Sequence, residues 1–340
     1  MQENNINYPK FKVCVRCFTF NQAKYITDAL NGFTMQQTDF PFVCCIVDDA
    51  STDGEQQVIM EYVQEHFDMF DASVSYRKET DYADITYAQH KANKNCYFAV
   101  LLLKENHYSQ RKDKMPYLSE WRDNTEYEAL CEGDDYWTDS LKLQKQVDIL
   151  ESNPEVGLVH TDFDLVEGKR RHFKRSSKPE KYLSFLLKGN FRIGTLTVVY
   201  RRSLYDELPK DWEKMTPRLS MGDLPLWIEL AAISQFVYIS DSTARYRVLL
   251  NSASHSSDIN KEIHFVSDTM RCINYYAKKY GLEGVDERWY YAYVMRDIVK
   301  FKNRRIANKY AKEALRKRKL SLRLIVFYIL SIIASMSKNA

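Results

Sequence analysis

Two clusters of acidic residues are the part of this sequence best suited to chemistry. The first lies in residues 46–54 (IVDDASTDG) and the second in residues 131–137 (CEGDDYW), and each follows a short apolar run. Runs of this kind are typical of buried strands, so the carboxylates would stand where strands leave a sheet. Carboxylates held close together repel one another and lose hydration, and a bound cation relieves both effects. The clusters predict a site for a metal-bound, nucleotide-like ligand.

Strand and helix patterns alternate around the first cluster. Residues 12–20 form a β-rich run, and residues 26–33 carry apolar side chains at helical spacing. The same order repeats with a strand at 42–47 and a helix at 58–67. A β-α-β-α order predicts a parallel sheet, whose ligands bind beyond the carboxyl ends of the strands. Both the end of the first strand and the first acidic cluster lie at such ends.

Glycine-rich phosphate loops are absent from the sequence. Neither G-x-G-x-x-G nor G-x-x-x-x-G-K-[ST] occurs, and the chain has only ten glycines. The phosphates of a nucleotide would then be held by a metal ion and side chains, a task for which residues 132–135 are equipped. Mg²⁺ and Mn²⁺ bind one or two carboxylates and complete their shells with phosphate oxygens.

Further elements follow the second cluster. Thr138-Asp139 is a candidate N-cap for a helix that Asn153-Pro154 would end. Strand-like runs occupy residues 156–166 and 191–200. A third acidic signal, Asp223, opens an apolar helix, where the helix dipole alone would favour an acidic residue as a cap.

Composition and cysteine content favour a folded protein of the reducing cytosol. The chain has 340 residues, 45% of them hydrophobic and 14% aromatic, which suffices for one large domain or two small ones. The first residues do not resemble a signal peptide. Cys14 and Cys17 have the two-residue gap of a zinc or redox motif, but no second pair follows at metal spacing. The seven cysteines are therefore predicted to be buried thiols, mostly in strands.

The motifs resemble, in their order, those of family 2 glycosyltransferases with the GT-A fold, of the bacterial cell-surface polysaccharide type. The matching segments are residues 17–21 (CFTFN), 47–54 (VDDASTDG), 131–139 (CEGDDYWTD), 141–146 (LKLQKQ), 222–227 (GDLPLW) and 246–248 (YRV). Each segment is short, but the ordered set, which covers about residues 10–255, is specific. The resemblance implies an α/β fold with a Rossmann-like, mostly parallel sheet flanked by helices, here with a C-terminal helical extension.

The resemblance also implies which residues bind the donor. In similar enzymes the end of the first strand and the Asp-Asp pair hold the base and ribose of a nucleotide-sugar. The corresponding residues in this chain are Phe18, Thr19, Asp48 and Asp49.

Metal binding and catalysis are assigned in the same way. Asp134 and Asp135, with Glu132 nearby, match the metal-binding D-x-D element, which implies Mn²⁺ or Mg²⁺ beside the donor diphosphate. Asp223 matches the catalytic base that takes a proton from the acceptor hydroxyl, in one displacement that inverts the anomeric carbon. Arg247 is a candidate diphosphate contact, because a guanidinium matches phosphate geometry, with a structural ion pair as the alternative.

The C-terminal tail has a separate character. Ten of the 49 Lys and Arg residues lie in 301–323, against a single acid. The apolar residues 324–336 would span roughly 20 Å as a helix, short of a ~30 Å hydrocarbon core. One helical stripe is polar and consists of Ser321, Tyr328, Ser331 and Ser335. An amphipathic helix on an anionic membrane surface is predicted, with a short span or packing against the enzyme or a partner as alternatives. Nucleic acid is not indicated, since basic and aromatic residues do not interleave.

The predicted organisation is a GT-A domain at 1–255, a helical extension at 256–316 and a membrane-associating tail at 317–340. The predicted function is transfer of a sugar from a nucleotide-diphosphate donor, by default UDP-linked, to a lipid-linked or saccharide acceptor in surface polysaccharide synthesis. The expected location is the cytoplasmic face of the cell membrane. Residues 95–128 are interpreted as an insertion beside the active site, either an acceptor-side flap or solvated packing.

Two other classes of function stay open. A metal-dependent phosphohydrolase would also cluster Asp residues around Mg²⁺, although no Asp-x-Asp-x-Thr/Val opening follows the first strand. A non-catalytic, membrane-associated partner would keep the sheet without turnover. Similar enzymes often place a His soon after the YRV segment, whereas this chain has Leu249 there and His255 six residues later.

Overall fold

The computed structural model describes residues 8–167, 169–173, 181–189, 193–215, 219–249 and 257–336. The chain divides into two compact units. The first contains Met1–Lys178, Ile193–Glu207 and Ser234–Arg247, and the second contains Pro179–Arg192, Leu208–Ile233 and Val248–Ala340. His255 lies outside the described residues.

One mixed sheet organises the described part of the first unit. Its strands are β1 (Val13–Thr19), β2 (Phe42–Asp48), β3 (Ser75–Glu79), β4 (Ala83–Gln89), β5 (Cys96–Leu103), β6 (Tyr127–Leu130), β7 (Tyr136–Trp137), β8 (Val156–Glu167), β9 (Lys169–Phe173), β10 (Val199–Arg201) and β11 (Gln235–Arg247). The order is β3-β4-β5-β2-β1-β6-β10-β8-β11-β7, and β9 pairs with β8. Strands β5, β2, β1 and β6 run parallel, so their carboxyl ends share one edge. The predicted mostly parallel α/β sheet with a C-terminal helical region is confirmed.

Eleven helices accompany the sheet in the described residues. They are α1 (Ile26–Thr34), α2 (Glu55–His66), α3 (Ser119–Arg122), α4 (Lys142–Ser152), α5 (Tyr182–Leu187), α6 (Arg202–Glu207), α7 (Asp223–Ile233), α8 (Ile259–Lys279), α9 (Glu287–Phe301), α10 (Arg304–Arg316) and α11 (Leu322–Met336). Helices α1 to α4 and α6 belong to the first unit, and the others belong to the second.

The central strands are buried on both faces. Alternate residues of β1 and β2 point into a core formed with α1, α2 and α4, which contains Leu30, Val63 and Val147. The remaining residues of these strands point into a second core that includes Leu118 and Trp121. Burial on both sides explains why β2 is apolar throughout until it reaches its terminal Asp.

The cysteines follow this alternation. All seven are buried and free, as predicted. Cys14 belongs to one core and Cys17 to the other, because residues three apart in a strand face opposite sides of the sheet. These two thiols therefore cannot bind one metal ion together. Burial raises the pKa of Cys17 well above its ordinary value, which keeps the thiol protonated.

Three sequence-based expectations for the first unit need correction. Of the strand expected at 191–200, the described part contains only β10, preceded by a 3-10 turn at Thr195–Thr197. The segment at 95–128 is not wholly an insertion, because β5 is a central strand paired with β2 and β4. The helix after Trp137 begins at Lys142, so Thr138-Asp139 is not its N-cap. Asp139 instead accepts a hydrogen bond from the backbone of Leu141.

A buried lysine at the start of α4 was not predicted. Lys142 is fully buried, lies 4.4 Å from the centroid of the Trp137 ring and donates to Gln146 Oε1 at 2.7 Å. Burial lowers the pKa of Lys142 to about 7. The folded chain therefore binds fewer protons at this site than the unfolded chain, whose lysine titrates near 10.5.

Lys142→Met is expected to flatten the pH dependence of stability between pH 7.5 and 9.5. In the native chain the Lys142 contribution raises the free energy of unfolding by about 1.4 kcal/mol per pH unit in this window, because only the unfolded state still holds the proton. Urea unfolding at several pH values measures the slope. Lys145→Met, at a half-buried residue of the same helix whose ion pairs raise its pKa, is the control and should leave the slope unaltered, because Lys145 stays protonated in this window.

The second unit is helical in its described residues. Helices α9, α10 and α11 enclose a core that includes Tyr291, Met295 and Leu324. Within the helical extension predicted at 256–316, α9 and α10 are separate helices, because Lys302 has a φ of 51° and Asn303 caps α10 by accepting from the backbone of Ile306. A left-handed residue cannot continue a right-handed helix, so the chain turns there.

Candidate active site

Three carboxylates converge in the turn between β6 and β7. The possible ligand atoms of Glu132, Asp134 and Asp135 all lie within 4.8 Å of one another. Asp135 is 3% exposed, Asp134 is half-buried and Glu132 is exposed. Because β6 is parallel to β1, this acidic turn stands at the same edge of the sheet as the ends of β1 and β2.

Burial makes the acidic turn electrostatically costly. Burial and, second, the neighbouring Asp134 raise the pKa of Asp135 well above its ordinary value. Burial also raises the pKa of Asp134. A cation among these groups would offset both the lost hydration and the mutual repulsion.

The acidic turn packs tightly against the end of β1. A Cβ atom on Gly133 would lie 2.1 Å from Thr19 Oγ1, and no side chain fits at that distance. The backbone N–H of Gly133 donates to Phe18 O at 3.3 Å. Glycine is thus required for the turn to reach the first strand, and the two segments hold each other in place.

Arg247 reaches the acidic turn through strand pairing. Strand β11 pairs with β7 at Ala244↔Trp137 and Arg245↔Tyr136. The pairing places the backbone N–H of Arg247 2.8 Å from Asp135 Oδ1 and its guanidinium 2.7 Å from Asp134 O. The guanidinium also pairs with Asp28 and lies 4.4 Å from the centroid of the Tyr136 ring. Arg247 therefore places one positive charge beside the three carboxylates.

The first acidic pair has two different environments. Asp48 Oδ1 accepts from Ser51 N at 3.0 Å and from Gln56 Nε2 at 2.6 Å. Its other oxygen, Oδ2, is buried and has no hydrogen-bond partner among the described residues. Asp49 is also buried, but its two oxygens accept from the backbone N–H groups of His107 and Tyr108. Asp48 thus keeps an acceptor at this edge, whereas the Asp49 carboxylate holds the loop after β5.

Asp49→Ala is expected to lower the free energy of unfolding by about 3–5 kcal/mol, the usual effect of breaking a buried ion pair. Lys114 Nζ lies 3.0 Å from Asp49 Oδ2 and would lose its partner, as would the two backbone N–H groups. Urea unfolding measures the loss. Lys104→Ala, which breaks an exposed pair with Glu79, is the control and should change little. An equal loss in both variants would contradict the positioning role of Asp49.

Glu55, the first residue of α2, joins the two loops at this edge and was missed by the sequence analysis. It is buried and accepts hydrogen bonds from the Thr19 hydroxyl, Gln22 N at 2.8 Å and Ser51 Oγ at 2.8 Å. Burial raises the pKa of Glu55. A helix-opening Glu after Ser-Thr-Asp-Gly gives no separate signal, because acidic residues are common in a first turn.

Phe18 and Asp53 also lie at this edge, at the end of β1 and just before α2. The Phe18 ring contacts two cations, with Arg16 Cζ 5.4 Å and Lys114 Nζ 4.8 Å from its centroid. Asp53 accepts from the backbone of Ala23 at 3.0 Å and of Glu55 at 3.1 Å, the contacts of a turn residue.

Asp223 belongs to the second unit. It opens α7, and its Oδ1 atom accepts from Leu224 N at 2.8 Å. The preceding segment is anchored to α8, where Asp268 Oδ2 accepts from the backbone N–H of Ser220 at 2.9 Å. The role of Asp223 as a base stays a prediction.

The residues of the acidic turn suit a divalent cation. Glu132, Asp134 and Asp135 offer an all-oxygen donor set, which Mg²⁺ and Mn²⁺ prefer over nitrogen or sulfur ligands. Cys131 directly precedes the acidic turn, but it is buried, and burial raises the pKa of its thiol well above its ordinary value, which disfavours the thiolate form that binds metals.

Comparisons with known proteins give the following similarities. No protein-family model matches the chain. Uncharacterized proteins of Mycobacterium tuberculosis (strain ATCC 25618 / H37Rv) and Mycobacterium bovis are each 32% identical to it over 225 residues, which is 63% of this chain and 56% of each relative. The chain thus spans about half the length of the curated relatives it matches.

Two similar solved structures contain nucleotide-sugars. S. aureus TarS 1–349 in complex with UDP-GlcNAc matches with a TM-score of 0.45 and 16% identity, covering 84% of this chain and 71% of that chain. The mannosyltransferase PcManGT from Pyrobaculum calidifontis, in complex with GDP-Man and Mn²⁺, matches with a TM-score of 0.47 and 15% identity. The match covers 98% of this chain and 89% of that chain.

Proposed function

We propose that this chain is a metal-dependent, inverting glycosyltransferase that uses a nucleotide-diphosphate sugar, UDP-linked in the simplest case. The observation that carries the proposal is the convergence of Glu132, Asp134 and Asp135 at the carboxyl edge of the parallel strands. Clustered carboxylates at this edge suit a cation that also binds phosphate oxygens. Arg247, hydrogen bonded to the same turn, suits the charge of a diphosphate.

The other end of the donor has a candidate site on the same edge. The unpartnered Oδ2 atom of Asp48 can accept a hydrogen bond from a base N–H or a ribose hydroxyl. Phe18 and Thr19 end the neighbouring strand and complete this predicted surface. In the proposal Asp49 acts indirectly, since its carboxylate orders the loop at 106–114 rather than facing a ligand.

The proposed reaction is a single displacement. Asp223 would take the proton of an acceptor hydroxyl as that oxygen forms a bond to the anomeric carbon, while the bond from this carbon to the diphosphate breaks. A divalent cation held by Asp134, Asp135 and Glu132 would stabilise the negative charge of the departing diphosphate. A lipid-linked or saccharide acceptor, in surface polysaccharide synthesis, is the setting implied by the sequence resemblance.

Product analysis tests this proposal against a hydrolase and a non-catalytic partner. UDP- and GDP-sugars are incubated with Mn²⁺, the purified chain and a panel of lipid-linked and saccharide acceptors. Sugar transfer that requires both the cation and an acceptor supports the proposal. Free sugar or phosphate at the same rate without an acceptor would support a phosphohydrolase. Donor binding with no turnover on any acceptor would support a non-catalytic partner.

A further inference from the structure

Helix α11 packs with its polar stripe inward. Leu324 and Ser331 are buried, and Tyr328 donates to Asn308 Oδ1 on α10 at 2.8 Å. The sequence pattern predicted that the stripe containing Tyr328 and Ser331 would be the polar side of an interfacial helix. The structure instead turns Tyr328 and Ser331 toward the other helices: Tyr328 bonds to α10, and the buried Ser331 hydroxyl donates to the Tyr328 carbonyl of its own helix.

The opposite face of α11 is apolar and exposed. It consists of Leu322, Ile325, Val326, Ile329, Leu330, Ile333 and Met336. Their spacing places all seven on one side of the helix, and each is between 43% and 78% exposed. Single exposed apolar residues are ordinary, but a continuous stripe of seven on a folded helix marks an interaction surface.

Exposed cations lie on α10, the helix that precedes α11 in the chain and shares a core with it. Arg305, Lys309, Lys312 and Arg316 follow one stripe of α10, and all four are exposed. In the described part of the chain none of them forms an ion pair, whereas Lys317 pairs with both Glu287 and Glu313. The cations are therefore available to an external anionic partner.

We propose that the apolar face of α11 and the cationic stripe of α10 bind an anionic lipid bilayer, with α11 remaining folded against the second unit. Apolar side chains would enter the boundary between headgroups and acyl chains, and the cations would contact anionic headgroups. Among the described residues, no helix has both the length and the apolar character needed to cross a bilayer. Helix α11 has 15 residues and would be about 22 Å long, which suits a helix lying in the membrane plane.

A second copy of the chain fits this surface less well. Two copies related by a twofold axis would present the same patch to each other. The cationic stripes on α10 of the two copies would then come closer together, and the repulsion between like charges would oppose the dimer. An anionic bilayer satisfies both the apolar face and the cations.

This inference deepens the proposed function and rests on it for its biological meaning, because a lipid-linked acceptor is reached from a membrane surface. The binding itself is tested without any donor or acceptor. Failure of membrane binding and failure of sugar transfer are therefore separate results.

The test measures co-sedimentation of the full chain with vesicles of phosphatidylcholine, with or without about 30% phosphatidylglycerol. The native chain is expected to prefer the anionic vesicles and to lose binding as salt is raised. Ile329→Glu combined with Ile333→Glu should abolish binding. Arg305→Gln combined with Lys312→Gln should weaken it about 25-fold, at roughly five-fold per charge.

Matched variants separate the surface from general effects. Leu282→Glu combined with Ile233→Glu places the same two charges on other exposed apolar residues of the second unit and should bind like the native chain. Arg305→Lys combined with Lys312→Arg keeps both charges and should also bind. Binding unchanged by the Ile329/Ile333 pair of substitutions would overturn the proposal. Absence of vesicle binding, with a lipid-free dimer that Ile329→Glu dissociates, would overturn it in favour of self-association.

Discussion

Asp135→Asn is expected to weaken metal-dependent binding of a nucleotide-sugar by about 100-fold or more, on the scale at which metal sites respond to changes in their shells. Asp135 is the buried member of the three carboxylates, so loss of its charge leaves only the half-buried and exposed members. The Asn side chain still accepts a hydrogen bond from Arg247 N, which preserves the contact between β11 and the turn.

Thermal unfolding provides the measurement and separates binding from folding. With Mn²⁺ and donor at 100 times their dissociation constant, the native chain should gain about 2.7 kcal/mol of stability, whereas the variant should gain almost none. Without ligands the variant should be at least as stable, because it no longer buries a charge whose pKa is raised by burial. Asp148→Asn on the exposed side of α4 is the control. A full Mn²⁺ response in Asp135→Asn would exclude this metal site.

Asp223→Asn is expected to lower kcat for sugar transfer by about 10²–10⁴-fold, the usual contribution of a general base. Donor affinity should not change, since the assigned donor and metal residues lie elsewhere in the sequence. Asn can also accept from Leu224 N, so the start of α7 is preserved. Steady-state transfer kinetics and donor titration measure the two quantities separately.

The control for Asp223 is Glu283→Gln, which removes an exposed carboxylate from the same unit. It should leave kcat within a factor of two of the native value, on the order expected for surface changes. If Asp223→Asn retained native kcat, the acidic residue would be only the first-turn residue that the helix dipole favours. The base would then have to be sought among other carboxylates.

Local apolar pattern was sufficient to predict the first two parallel strands and the helices that follow them. Strands β1 and β2 and helices α1 and α2 all occur where apolar periodicity predicted them, because each buries a regular apolar face. The acidic turn was located by the same logic, since carboxylates after a buried strand must stand at the edge of the sheet.

Contacts between distant segments could not be predicted in this way. Asp48 and Asp49 are adjacent and identical in type, yet only Asp49 bonds to a loop 58 residues later. The approach of Arg247 to Asp135 depends on the pairing of β7 with β11, which no local pattern encodes. Polarity alone also predicted the wrong side of α11 for Tyr328 and Ser331. Ser331 is buried, because a hydroxyl group that has a hydrogen-bond partner can be buried.

The pairing of β7 with β11 has a consequence for the order of events during synthesis. The backbone group that holds Asp135 comes from Arg247, a residue made 112 positions later. At about 5–20 residues per second, the ribosome needs roughly 6–22 s to cover that interval. During this time a nascent chain carries the acidic turn without its closing strand, and β8 lacks the neighbour with which it pairs over most of its length. The edge that carries the acidic turn would therefore be among the last parts of the first unit to mature, and an open strand edge of this kind is where a chaperone would be most useful.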